Sequence, residues 1–157
     1  MVTLDRHGFL YLLRGTDIPS RLVRLARARE ERSWELFESN LGLRQLSGAQ
    51  KTELQSYLER MTFAKGETLW TEGDRVDAAF IVDQGEVELE GCTAPAPFGA
   101  GALLADVDRL RDGGAHVTTA RALCDGRGFR IDRADFAKFM SNNPGVQLFL
   151  MGTHFVE

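Results

Sequence analysis

The run Phe98-Gly99-Ala100-Gly101-Ala102-Leu103 has the residue types best suited to binding chemistry. Small side chains let neighbouring backbone N–H groups converge, and at a helix start such groups favour a small anion. Gly99, Ala100, Gly101 and Ala102 precede Leu103-Leu104, which is expected to open a helical turn. The plainer alternative is a tight turn packed with small residues. Downstream stand His116, Val117, Thr118 and Thr119, with Arg109, Arg111 and Arg121 as the nearby cations.

Metal and covalent chemistry have weaker footing. His7, His116 and His154 share no helix face or strand, and Cys92 and Cys124 lack both C-x-x-C spacing and a nearby histidine pair. Zinc needs such a set, so no metal is expected. There is no nucleophile elbow. The pairs Asp106/Asp108 and Asp132/Asp135 read as solvated charges and a helix cap rather than as general acid and base. The chain is expected not to be an enzyme and to need no cofactor.

These residues have to be positioned by the elements around them. From Pro19 to Asn40 the spacing of Leu22, Leu25, Ala26, Trp34 and Phe37 predicts helix, capped by Asp17 or Ser20. Arginines recur through its first half. They offer contacts to phosphate or to an acidic partner, or else form a solvated face with Glu30 and Glu31. Ser47 caps a second predicted helix, GAQKTELQSYLERM, with Leu54, Tyr57 and Leu58 on one face. After Met61, short apolar runs alternate with Gly66, Gly73 and Gly85, a strand-and-turn texture that predicts a small antiparallel sandwich or barrel. VTTARALC and GFRI read as returning strands. Asp132 caps RADFAKFMSN, with Phe136, Phe139 and Met140 on one face, and Pro144 ends that helix or restarts a short one.

Residues 1–32 hold seven Arg against four Asp+Glu, and the rest holds twelve Lys+Arg against nineteen acids, giving the overall net charge of −4. An acidic body lacks the positive footprint of a nucleic-acid binder, so no nucleic acid is expected as partner. No apolar run reaches the roughly 18–20 residues needed to span a bilayer, and the N-terminus does not read as a secretion signal. Two cysteines are too few for a disulfide framework, so a soluble, intracellular, cytoplasmic-side protein is expected.

Phe63-x2-Gly66-Glu67-x-Leu69, Glu72-Gly73-Asp74, Asp77, Phe80-Ile81-Val82 and Gly85-x-Val87-Glu88 together resemble the first half of the cyclic-nucleotide-binding domain. That family includes the regulatory subunit of the cAMP-dependent protein kinase, cyclic-nucleotide-gated channels and the catabolite activator protein. The resemblance runs from about Trp34 to Phe149. It implies an α+β fold: an antiparallel, jelly-roll-like β-roll with N-terminal and C-terminal helices. Residues 34–157 are expected to form this domain, with residues 1–33 an N-terminal extension or the remnant of a preceding segment of a longer protein.

The resemblance also makes Phe98-Gly99 the opening of a phosphate-binding cassette and His116–Ala122 its end. Members carry a glutamate after Phe-Gly for the ribose hydroxyl, and an arginine further on for the cyclic phosphate. Here Ala100 stands at the first position, and aligning TTARAL on the family's ATVRAL puts His116 at the second. A largely neutral histidine is a weak anion clamp, and losing a charged partner from a buried ion pair costs about 3–5 kcal/mol. Arg109, Arg111 or Arg121 remain as substitutes. The expected role is therefore a regulatory or interaction domain that has lost tight cAMP and cGMP binding. Its partner is a neighbouring domain or protein docked through the helices. The alternative is a rewired sensor of a cyclic nucleotide or another small anion that controls a linked domain. A transcription regulator fits least, because no helix-turn-helix follows the roll.

Overall fold

In the segment Val87-Glu88-Leu89-Glu90, the two apolar residues are buried and the two glutamates exposed, the period-two pattern of a strand covering a core on one face. That alternation recurs through the central part of the chain. The computed structural model describes residues 15–30, 33–91, 97–150 and 155–156. Helices α1 (Ile18–Glu30), α2 (Ser33–Ser39) and α3 (Gly48–Gln55) lead in, with a 3-10 turn at Leu43–Gln45. Strands β1 (Glu59–Phe63), β2 (Thr68–Trp70), β3 (Ala78–Gln84), β4 (Val87–Glu90) and β5 (Leu103–Leu104) follow. Then come α4 (Val107–Asp112), β6 (Thr119–Ala122), β7 (Gly126–Asp132), α5 (Arg133–Asn142), α6 (Pro144–Leu150) and β8 (Phe155–Val156).

Two antiparallel sheets form, one in the order β1-β7-β3-β5-β8 and the other β2-β6-β4. Strand β3 is buried on both faces from Ala78 to Val82. Its alternate residues belong to two cores. Ala79 and Ile81 join Leu103, Phe129 and Ile131 beneath the helices, packed with Phe37, Leu54, Tyr57, Phe136, Phe139 and Met140. Ala78, Phe80 and Val82 face the second sheet and pack with Trp70, Val87, Leu89, Phe98, Ala120 and Ala122. The five-stranded sheet is thus the shared wall between a helical layer and a sandwich, as expected for the β-roll.

Several local expectations are met by name. Ser47 accepts from the Gln50 N–H while the Gln50 side chain accepts from the Ser47 N–H, a reciprocal capping box. Pro144 restarts a helix, and Phe136, Phe139 and Met140 are buried. Three differences have clear causes. The second predicted helix stops at Gln55, because residues from Glu59 onward are drawn into register with Arg130 and its neighbours on β7. Asp132 occupies the N-cap position of α5 without a capping hydrogen bond, since its carboxylate is engaged by Arg130. The arginines of α1 do not all face solvent. Arg21 donates to Ser56 Oγ at 3.1 Å and lies over the Tyr57 ring, while Arg24 reaches Glu59 at 3.4 Å and Asp135 at 3.3 Å. They tie α1 to the body.

Candidate functional site: the cassette

The cassette begins where Phe98, buried in the inter-sheet core, exchanges both backbone hydrogen bonds with Val87. A tight turn follows, closed by the Ala102 N–H donating to the Gly99 carbonyl at 3.1 Å. The Gly101 N–H donates to the Val82 carbonyl at 2.8 Å, and Leu103-Leu104 continue as strand β5 against Phe80-Ile81. The helix start expected at Leu103 is therefore a strand, and two of the N–H groups proposed for an anion are already spent on carbonyls. The helix begins later, at Val107, and its N-terminus is capped by Asp106, whose carboxylate accepts from the Arg109 N–H at 3.0 Å and is ion-paired with the Arg109 guanidinium. The chain's own carboxylate stands where a bound anion is favoured.

Gly101 has φ +89°, a region that costs an L side chain strain, and a Cβ there runs into Ser39 Oγ. The close approach is held by Asn40, fully buried, whose Nδ2 donates to the Gly101 carbonyl at 2.7 Å. Its Oδ1 accepts from the N–H groups of Gly42 and Leu43, each at 2.9 Å. Midway along the cassette, at helix α4, Arg133, the first residue of α5, donates from Nε to the Leu110 carbonyl at 2.5 Å and from Nη2 to the Arg111 carbonyl at 3.0 Å. The cassette is thus tied to the N-terminal helices through Asn40 and to the C-terminal helices through Arg133.

His116 is pinned by its backbone. Its N–H donates to the Asp74 carbonyl, and its carbonyl accepts from the Gly73 N–H, both at 2.8 Å. The imidazole stacks on Trp70 with ring centroids 4.6 Å apart and planes 16° from parallel, and Trp70 stacks on Phe80 at 5.3 Å and 23°. The cavity left beside these rings, bounded by Leu104–Asp106 and His116–Thr118, has a volume of about 10 Å³, room for no more than a water. Thr118 is buried, Val117 is exposed, and Thr119 Oγ1 accepts from the Glu72 N–H. The three cations considered as phosphate partners are each matched to acids: Arg109 with Asp106, Arg111 with Asp112 and Asp108, and Arg121 with Glu90.

Burial depresses the pKa of His116 below the ordinary histidine value, against the pull of Asp77, Asp74 and Asp106 and together with the repulsion of Arg109. A depressed folded-state pKa means that the unfolded chain takes up the proton first. Stability is then full above the ordinary histidine pKa and falls as the pH drops through it. Comparing denaturant midpoints of wild type and His116→Phe between about pH 8 and pH 5.5 isolates this group. The wild type is expected to lose stability relative to the variant on acidification, and a constant difference contradicts it.

Trp70, Asn40 and Arg133 were not singled out from the sequence. The available signals were a tryptophan in a short strand just before Glu72-Gly73-Asp74, and an asparagine at a helix end. Nothing local marks Arg133. His7, Cys92 and His154 lie outside the described residues, as does most of the stretch between β4 and Phe98. Among the described residues no group of three or more His, Cys, Asp or Glu is placed to hold a metal. No helix among them is long and apolar enough to cross a membrane.

Two sheets closing on a shared core, with helices packed on the outer face of one of them and hydrogen-bonded to the segment between β4 and β6, define a β-roll. The Cyclic nucleotide-binding domain family matches residues 60–143, more than half of the sequence, and the chain belongs to that family. The cGMP-dependent 3',5'-cGMP phosphodiesterase A of Dictyostelium discoideum is 30% identical over 160 residues, a stretch covering 100% of this chain and 18% of that protein. The chain therefore corresponds to under a fifth of this relative. The N-terminal domain of a transcriptional regulator from Streptomyces coelicolor A3(2) superposes with a TM-score of 0.60 at 27% identity, over 74% of this chain and 85% of that one. PKAR CBD2 bound to Sp-2Cl-cAMPS superposes with a TM-score of 0.67 at 15% identity, over 80% and 85%, and shares the fold.

Proposed function

We propose that this regulatory domain is non-catalytic and has lost tight binding of cAMP and cGMP, acting instead as a fixed interaction module for a neighbouring domain or protein. The observation that carries this is the filled slot beside Trp70. His116, which the family alignment puts in place of the phosphate arginine, is stacked there and leaves about 10 Å³. Three carboxylates, Asp74, Asp77 and Asp106, act on it, and the nearby Arg109 is paired with one of them. A cyclic phosphate needs a desolvated cation of its own. The hydrogen bonds of Asn40 and Arg133 give such a module a rigid link between cassette and helices.

A second reading is favoured by one observation. The Dictyostelium relative, similar over the whole of this chain, is named as cGMP-dependent, which suits a sensor with a rewired cassette. Thermal unfolding separates the two. A melting temperature that does not move with millimolar cAMP or cGMP is expected, whereas a rise that grows with ligand as mass action requires favours the sensor.

A further inference from the structure

We infer that the cleft between α1 and α3 is a docking site for the chain's own apolar run Phe9-Leu10-Tyr11-Leu12-Leu13, whether or not the cassette takes a nucleotide. Helix α1 packs the reverse of an ordinary surface helix. Its Arg21 and Arg24 are spent on the body, through Ser56 and Tyr57 and through Glu59 and Asp135. Its apolar residues Ile18, Leu22 and Leu25 recur at i, i+4 and i+7, a single stripe. Ile18 and Leu22 are 41% and 48% exposed. Together with Ala49 and Thr52 of α3, the stripe lines a cleft of about 340 Å³. Arg21 lines it too, and its buried Nε–H has no acceptor among the described residues. The chain enters beside this cleft, because Ile18 is the first residue of α1 and only Arg14–Asp17 separate it from Leu13. Gly15 bends the chain at φ +82° just ahead of the helix, with no atom near enough to crowd the turn. Four linking residues reach at most about 14 Å, and Ile18 to Leu25 covers about 10 Å of helix, so the run can lie along the whole stripe. It buries apolar surface against apolar surface, and Tyr11 brings a hydroxyl of the kind that Arg21 Nε lacks. Docked there, it clamps α1 from the outer side as Arg21 and Arg24 do from the inner.

NMR of the full chain reads the contact directly. Nuclear Overhauser effects from the Phe9 and Tyr11 rings to the methyl groups of Leu22, Leu25 and Ala49 are expected, and their absence overturns the inference. A double-mutant cycle asks the same question of stability. Tyr11→Ser and Leu22→Ser are each expected to lower the melting temperature by about 2 °C or more. The double variant is expected to lose clearly less than the two losses added together, because either change alone empties the same contact. Strict additivity overturns the inference. Leu22 is half exposed, so its variant keeps the fold. Sedimentation at the NMR concentration is expected to show a monomer. A dimer that Leu22→Ser dissociates means that a second copy fills the cleft, and this too overturns the inference.

Discussion

Replacing Gly128 by alanine is expected to cost about 3 kcal/mol or more of folding stability. Gly128 lies on β7, the strand hydrogen-bonded between β1 and β3, opposite Met61 on one side and Val82 on the other. A Cβ at this position falls on the Ile81 carbonyl oxygen, well inside van der Waals contact, with the Ile81 carbonyl carbon and Val82 Cα close behind. All three are backbone atoms of the strand that walls both cores, so no flexible side chain can yield. Relief requires parting β7 from β3, and the cost is about 3 kcal/mol or more. That is a large share of the roughly 5–15 kcal/mol that a domain has in total. Urea unfolding followed by circular dichroism reads it directly, and a variant within about 1 kcal/mol of wild type contradicts this view of the sheet.

The second large effect is expected for Asn40→Ala. Its buried amide serves three backbone groups at once: the Gly101 carbonyl and the N–H groups of Gly42 and Leu43. Each buried polar group left without a partner costs about 1–3 kcal/mol. A total near 3 kcal/mol is expected, since some of these groups will find water. The effect should also be local. Hydrogen exchange at Gly42 and Leu43 is expected to accelerate more than exchange at Phe129 or Ile131 in the central strand. Equal acceleration everywhere means that Asn40 contributes only to global stability and does not specifically hold the cassette against the helices.

The parts of this molecule that were legible in the sequence are those fixed by short-range pattern. The Ser47–Gln50 cap, the Val87/Leu89 alternation, the Phe136/Phe139/Met140 face and the helix restart at Pro144 all lie within one or two turns of chain. What escaped depends on partners far away. Tyr57 and Leu58 keep helical spacing, yet the chain leaves the helix because β7, some seventy residues on, claims Glu59–Phe63. Leu103-Leu104 is too short to have a period, and β3 decides its conformation. Arg24 turns inward because Asp135 comes to meet it.

The same holds for the site. The family resemblance brought out Phe98-Gly99, Ala100 and His116, because those positions are set by local alignment. It could not place a Trp70–His116 stack, since those rings come from different strands and loops and meet only when the sheets close.

On the proposed function, the cassette no longer takes up a cyclic nucleotide. Calorimetric titration of the full chain with cAMP and with cGMP tests it most directly. No binding heat at millimolar ligand, for both nucleotides, is the predicted result. A dissociation constant near micromolar for either one contradicts the claim and makes this domain a working sensor.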